Sequence, residues 1–103
     1  MTNAEVAAVF DQIADLLEFQ GANPFRIRAY RNGARAIKDL PESIEEVATD
    51  PDRKLTDIAG IGKDLAGKIT ILVETGELPM LKELLEEIPA TVLDLLKVPQ
   101  LGP

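Results

Sequence analysis

Apolar residues recur at three- and four-residue spacing through most of this chain. Val6, Val9, Phe10, Ile13, Leu16 and Leu17 form the first stripe, with Glu5, Asp11, Asp15 and Glu18 on the remaining faces. That is the pattern of an amphipathic helix. Thr2 or Asn3 caps its start and Gly21 stops it. Asn23-Pro24 opens a second helix, because proline is pre-organised for the first helical position. It passes through Phe25, Ala29, Gly33, Ala36 and Ile37 to about Leu40 and ends at Pro41. Ser43-Ile44-Glu45-Glu46 reads as a capping box for a short third helix, broken near Asp50-Pro51. One more short helix at Leu55–Ile58, the segment Gly60-Ile61-Gly62 and a helix from about Lys63 to Glu74 follow, ended by Thr75-Gly76. Leu81, Leu84, Leu85 and Ile88 give Leu78–Ile88 an apolar face; Pro89 stops it, and Ala90–Lys97 is a last turn or two. No stretch alternates with the two-residue period of a strand. The predicted fold is all-α, a compact bundle of short helices.

Leu55, Ile58, Gly60, Ile61, Gly62, Ala66 and Ile69 fall into a helix-hairpin-helix pattern: two apolar anchors, Gly-apolar-Gly, then a small and an apolar residue. The glycines admit backbone geometry that a Cβ would obstruct and let a phosphate approach the main chain. Amides at the start of the next helix carry the positive end of its dipole. Ala66 allows close helix packing, while Leu55, Ile58, Ile61, Leu65 and Ile69 fasten the pair to the core. Such a device grips a nucleic-acid backbone through Gly60, Ile61, Gly62 and Lys63 without reading bases. The plainer alternative is an αα-hairpin with a tight glycine turn. Forty residues on, Leu95-x-x-Val98-Pro99-Gln100-Leu101-Gly102 repeats the spacing of Leu55-x-x-Ile58-Ala59-Gly60-Ile61-Gly62. We therefore expect residues 1–97 to form one domain and 98–103 to begin a second hairpin of a longer protein; the alternative is chance.

Composition narrows the chemistry. A chain of 103 residues supports one modest core, and its 46% apolar content is mostly aliphatic. Without cysteine or histidine it has no disulfide, thiolate nucleophile, histidine base or ordinary zinc site. No apolar run approaches the ~20 residues that span a bilayer, and the N-terminal twenty residues, with four acids, do not read as a signal peptide. The expected protein is soluble, cytoplasmic and monomeric.

The net charge of −7 argues against an anionic partner until its distribution is considered. Residues 1–21 carry −4, residues 22–38 carry +5 with no acid, and residues 39–103 carry −8. Phosphates respond to potential within a Debye length of about 8–10 Å, so a local basic patch outweighs distant acids. Arg28, Arg31, Arg35 and Lys38 lie on one face of the second helix. An unmixed run favours an anionic partner, a solvated face being the other reading. Tyr30 interleaves with it, as a core-edge residue or a base-stacking one. Asp50-Pro51-Asp52 is a formal Asp-x-Asp, but with no strand around it we read a polar loop.

Asn23-Pro24-Phe25-Arg26-Ile27-Arg28-Ala29-Tyr30-Arg31, Leu40-Pro41, Ile58-Ala59-Gly60-Ile61-Gly62 and Glu74-Thr75-Gly76-Glu77-Leu78 together resemble the N-terminal domain of family X DNA polymerases, above all the bacterial and archaeal branch. The resemblance covers essentially the whole chain. It implies a domain that binds the 5′-phosphate side of gapped or nicked DNA in base excision repair, followed by polymerase domains that hold Mg²⁺. By the same resemblance, carbonyls of Thr56, Ile58 and Ile61 would hold Na⁺ or K⁺ at the hairpin, with no other cofactor in this domain.

In some family members a lysine Schiff base removes 5′-deoxyribose phosphate by β-elimination. The matching lysine is Lys68, two residues after Ala66, and the assisting tyrosine is Tyr30. Neighbouring positions depart from the family. Asp64 replaces a lysine one turn earlier, Gly67 an acid, Met80 another lysine, and Phe25-Arg26 a phosphate-contacting histidine-lysine pair. Arg26, Lys63 and Lys68 remain to meet a phosphate. An amine attacks an aldehyde only when deprotonated, and Asp64 favours the ammonium. Three readings therefore stand: a non-sequence-specific DNA-binding module, an active lyase through Lys68, and a protein-interaction module using the acidic surface.

Overall fold

The computed structural model describes residues 1–88, all of whose regular elements are helical. Helix α1 spans Asn3–Phe19, α2 Pro24–Asp39, α3 Ile44–Thr49, α4 Lys63–Thr75 and α5 Pro79–Glu86; a single 3₁₀ turn at Leu55–Asp57 precedes α4. The proposed second hairpin and the turns at 90–97 lie outside the described residues.

Each boundary has a local cause. The Thr2 side chain accepts from the Glu5 amide while the Glu5 carboxylate accepts from the Thr2 amide, both at 3.1 Å, a full capping box on α1. Asn23 caps α2 by accepting from the Phe25 amide at 2.8 Å, with Pro24 in the first turn. Gly76, at φ 77°, closes α4, its amide donating to Leu72 O at 2.7 Å.

The capping box expected at Ser43 does not form, and its side chain makes no cap bond. The cap comes instead from a distant residue. Asn3 Oδ1 accepts from the Ile44 amide at 2.7 Å, and Asn3 Nδ2 donates to Glu42 O at 2.7 Å and Leu40 O at 3.4 Å. One amide thus ties the first turn of α1 to the α2–α3 connection.

Asp11 pairs with Lys38 and Glu18 with Arg31, so α1 and α2 run antiparallel. Helix α1 is the centre of the core. Val6, Val9, Phe10, Ile13, Leu16 and Leu17 are at most 2% exposed, and burial of each large aliphatic side chain stabilises by about 1.5–3 kcal/mol. Tyr30, Ala34 and Ile37 of α2 join this core, as do Ile69 and Leu72 of α4 and Leu81 and Leu84 of α5. Gln20 Nε2 donates to Glu87 at 2.9 Å, tying the end of α5 to the end of α1.

Candidate nucleic-acid interface

The hairpin is built by a ladder of short-range bonds. Asp57 N donates to Lys54 O at 3.1 Å, Ile58 N to Leu55 O at 3.0 Å and Ile61 N to Ile58 O at 3.0 Å; Ala66 N then donates to Gly62 O at 2.9 Å as α4 begins. Leu55, Ile61, Leu65 and Ile69 are buried as anchors, and Ile58 and Ala66 pack partly buried against the core.

The two glycines differ. Gly60 has φ 93°, and an added Cβ would lie 3.3 Å from Ala36 Cβ and 3.5 Å from Asn32 O. It is required both by its conformation and by its seat on α2. Gly62 has φ −89° and open space where its Cβ would go. Nothing within the described chain demands glycine there.

Helix α4 starts without a side-chain cap. The amides of Gly62, Lys63 and Asp64 find no acceptor among the described residues, while α1, α2 and α3 each have a side-chain acceptor at their start. The exposed Lys63 makes no ion pair. This is an open helix end carrying partial positive charge.

Gly33 fixes where that end sits. Its missing Cβ would lie 2.6 Å from Leu65 Cδ1 and 3.6 Å from Ile61 Cδ1, so α2 and the hairpin meet where a side chain is absent. Sequence reasoning counted Gly33 only as a helix-interior position. A glycine at the helix centre, unfavourable by about 1 kcal/mol against alanine, was the available signal. Arg26 lies seven residues before Gly33, about 20° away around the helix at 3.6 residues per turn, and so projects on the hairpin side. It is exposed and free of any ion pair.

Lys68 and Tyr30, far apart in sequence, are brought together. Lys68 Nζ lies 5.9 Å from the Tyr30 ring centroid and donates to Asp64 at 2.6 Å. The Lys68 side chain is 17% exposed. Burial alone would lower its pKa, but the Asp64 hydrogen bond and Tyr30 outweigh that and hold it above the usual lysine value. Tyr30 is 1% exposed, sets its edge against Phe10 at 5.9 Å between centroids, and donates its hydroxyl to Met80 Sδ at 3.2 Å. Of its two sequence readings, the core one holds for the ring.

The basic stripe on α2 divides in the folded chain. Arg31 donates to Asp15 at 2.9 Å and to Glu18 at 2.7 Å, and Lys38 to Asp11 at 2.8 Å. The Glu18 and Asp15 bonds raise the Arg31 pKa further. Arg28 and Arg35 are exposed and make no ion pair. The run is unmixed only along the sequence; in space, the acids of α1 mix with half of it. Asp50 and Asp52 form a local turn, with Asp50 Oδ1 accepting from the Asp52 amide at 2.9 Å. Among the described residues no cluster of acids could hold a metal ion. No described helix is long and apolar enough to cross a membrane.

Comparison with known proteins agrees with this geometry. A protein family described as a helix-hairpin-helix domain matches residues 1–78. The chain is 29% identical over 102 residues to the DNA polymerase/3′-5′ exonuclease PolX of Bacillus subtilis (strain 168), covering 99% of this chain and 17% of that relative. The likeness to family X polymerases read from the sequence therefore holds. With its glycine turn, its buried anchors and a family match over most of its length, this chain belongs to the helix-hairpin-helix domain family.

Proposed function

We propose that this chain is a non-sequence-specific DNA-binding module of a repair polymerase that grips the 5′-phosphate side of gapped or nicked DNA. The observation that carries the proposal is the open start of α4, where three amides lack acceptors beside a glycine whose Cβ site is empty. A phosphate oxygen satisfies such amides directly. Lys63 supplies charge at that end, Lys68 lies between one and two turns further along α4, and Arg26 follows on α2 a turn before Tyr30, the residue that meets Lys68. The printed name of the Bacillus relative, a DNA polymerase and exonuclease, supports DNA as the partner. The chain spans 17% of that relative's length, so polymerisation and its Mg²⁺ belong to other parts of such a protein. A Na⁺ or K⁺ ion would add charge at the hairpin through carbonyls of Thr56, Ile58 and Ile61. Ile58 O already accepts one amide bond and has a second lone pair to offer.

Amine chemistry at Lys68 is the weaker reading. The proximity of Tyr30 matches the family likeness, but the Asp64 hydrogen bond and Tyr30 together hold the amine protonated. Borohydride trapping on a gapped duplex with a 5′-abasic end separates the two. No adduct is expected; an adduct abolished by Lys68→Ala would establish the lyase. Titration of a labelled gapped duplex tests gripping itself. Binding should weaken steeply with added salt, and absent or salt-insensitive binding overturns the proposal.

A further inference from the structure

The α2 stripe consists of two rows, each with seven-residue spacing. Arg31 and Lys38 form one row; Arg28 and Arg35 form the other. At 3.6 residues per turn, Arg28 and Arg35 lie about 60° and 40° around the helix from Arg31. The first row faces α1, where Asp11, Asp15 and Glu18 fall on one face of that helix. Arg31 meets two carboxylates at once, so its locus carries more negative than positive charge. The second row makes no ion pair.

We infer that the carboxylates of α1 form an electrostatic boundary. They withdraw Arg31 and Lys38 from phosphate contact and confine a bound DNA backbone to the hairpin and the outer row Arg28–Arg35, which turns from Arg31 toward Asn32 and Ala36, where Gly60 is seated. The inference rests on the DNA-binding reading above and adds which side of the domain the polyanion follows. Two physical points support it. A phosphate approaching Arg31 also approaches Asp15 and Glu18 within a Debye length, so attraction and repulsion cancel there. To bind, it would also have to compete with two charge-assisted hydrogen bonds already in place. All three side chains are 41–65% exposed, so neutral substitutions there should cost little stability.

The test compares Arg28→Gln, Arg31→Gln and the double variant Asp15→Asn/Glu18→Gln in the full chain. Folding is checked by circular dichroism, and affinity for a labelled 5′-phosphorylated gapped duplex is measured across salt concentrations. Arg28→Gln should weaken binding by about 3–10-fold and lower the salt slope by about one. Arg31→Gln should change affinity by less than about twofold, since it removes a cation already neutralised. The double variant should bind about 3–10-fold more tightly, with a steeper salt slope, because it frees Arg31 and removes two repelling charges. Equal losses in Arg28→Gln and Arg31→Gln, or no gain in the double variant, overturn the boundary while leaving DNA binding intact. If the unmodified chain does not bind, the underlying reading fails and the boundary fails with it.

Discussion

Replacement of Asn3 by alanine should destabilise the domain far more than replacement of Ser43, although Ser43 occupies the N-cap position of α3. Asn3 caps that helix through the Ile44 amide at 2.7 Å and also donates to Glu42 O at 2.7 Å. The longer contact to Leu40 O, at 3.4 Å, adds little. Loss of the cap costs about 1 kcal/mol. Loss of the Glu42 bond costs about another 1 kcal/mol. Asn3 is the first residue of α1, where alanine returns at most about 0.5 kcal/mol through helix propensity. The net loss is about 1.5 kcal/mol, which for a domain of this size lowers Tm by roughly 6–12 °C. Asn3→Asp keeps the acceptor but loses the donor, and should fall about midway. Ser43→Ala removes no cap bond and should stay within about 0.5 kcal/mol of the parent. Thermal unfolding followed by circular dichroism at 222 nm reads all three. Equal Tm losses for Asn3→Ala and Ser43→Ala would refute the long-range cap.

Three further outcomes follow from the hairpin and Lys68. Gly33→Val drives a side chain into Leu65 and should destabilise by about 2 kcal/mol in urea titration; an unchanged midpoint would contradict the close seat. Gly62→Ala meets open space at an ordinary φ and should cost under about 1 kcal/mol while weakening DNA binding, whereas unaltered affinity would mean that phosphate does not approach there. Asp64→Asn should lower the Lys68 pKa, followed by NMR of ¹³C-methylated lysine. Because the folded value is raised, the Lys68 ammonium stabilises the fold below the unfolded pKa, and that contribution disappears as pH rises through the folded pKa. The parent should therefore lose stability as pH rises from the unfolded lysine pKa to the raised folded one, the variant should lose less over that window, and identical alkaline profiles would exclude the Asp64 effect.

Local periodicity and local chemistry were legible in the sequence. The stripe from Val6 to Leu17, the Asn23-Pro24 start, the Thr75-Gly76 stop and the hairpin anchors all depend on neighbours within one or two turns. What escaped was contact between segments remote in sequence. Ser43 has the right residue type for a cap, yet Asn3 supplies the acceptor from forty-one positions away. The stripe from Arg28 to Lys38 looks free of acids until α1 folds beside it. Gly33 reveals its purpose only when Leu65 and Ile61 stand over it. The pairing of Tyr30 with Lys68 was legible through family likeness alone, because no local spacing links α2 to α4.

The seat at Gly33 has a consequence for how the domain meets its partner. Leu65 and Ile61 packed over a bare helix backbone leave the hairpin little freedom to slide or tilt. The separation between Arg26 and the amides at Gly62–Asp64 is therefore set during folding rather than upon encounter. Such a surface acts as a fixed gauge. It gives up little conformational entropy on association, and under the proposed DNA-gripping function it should discriminate among DNA ends by their shape rather than reshape itself around them.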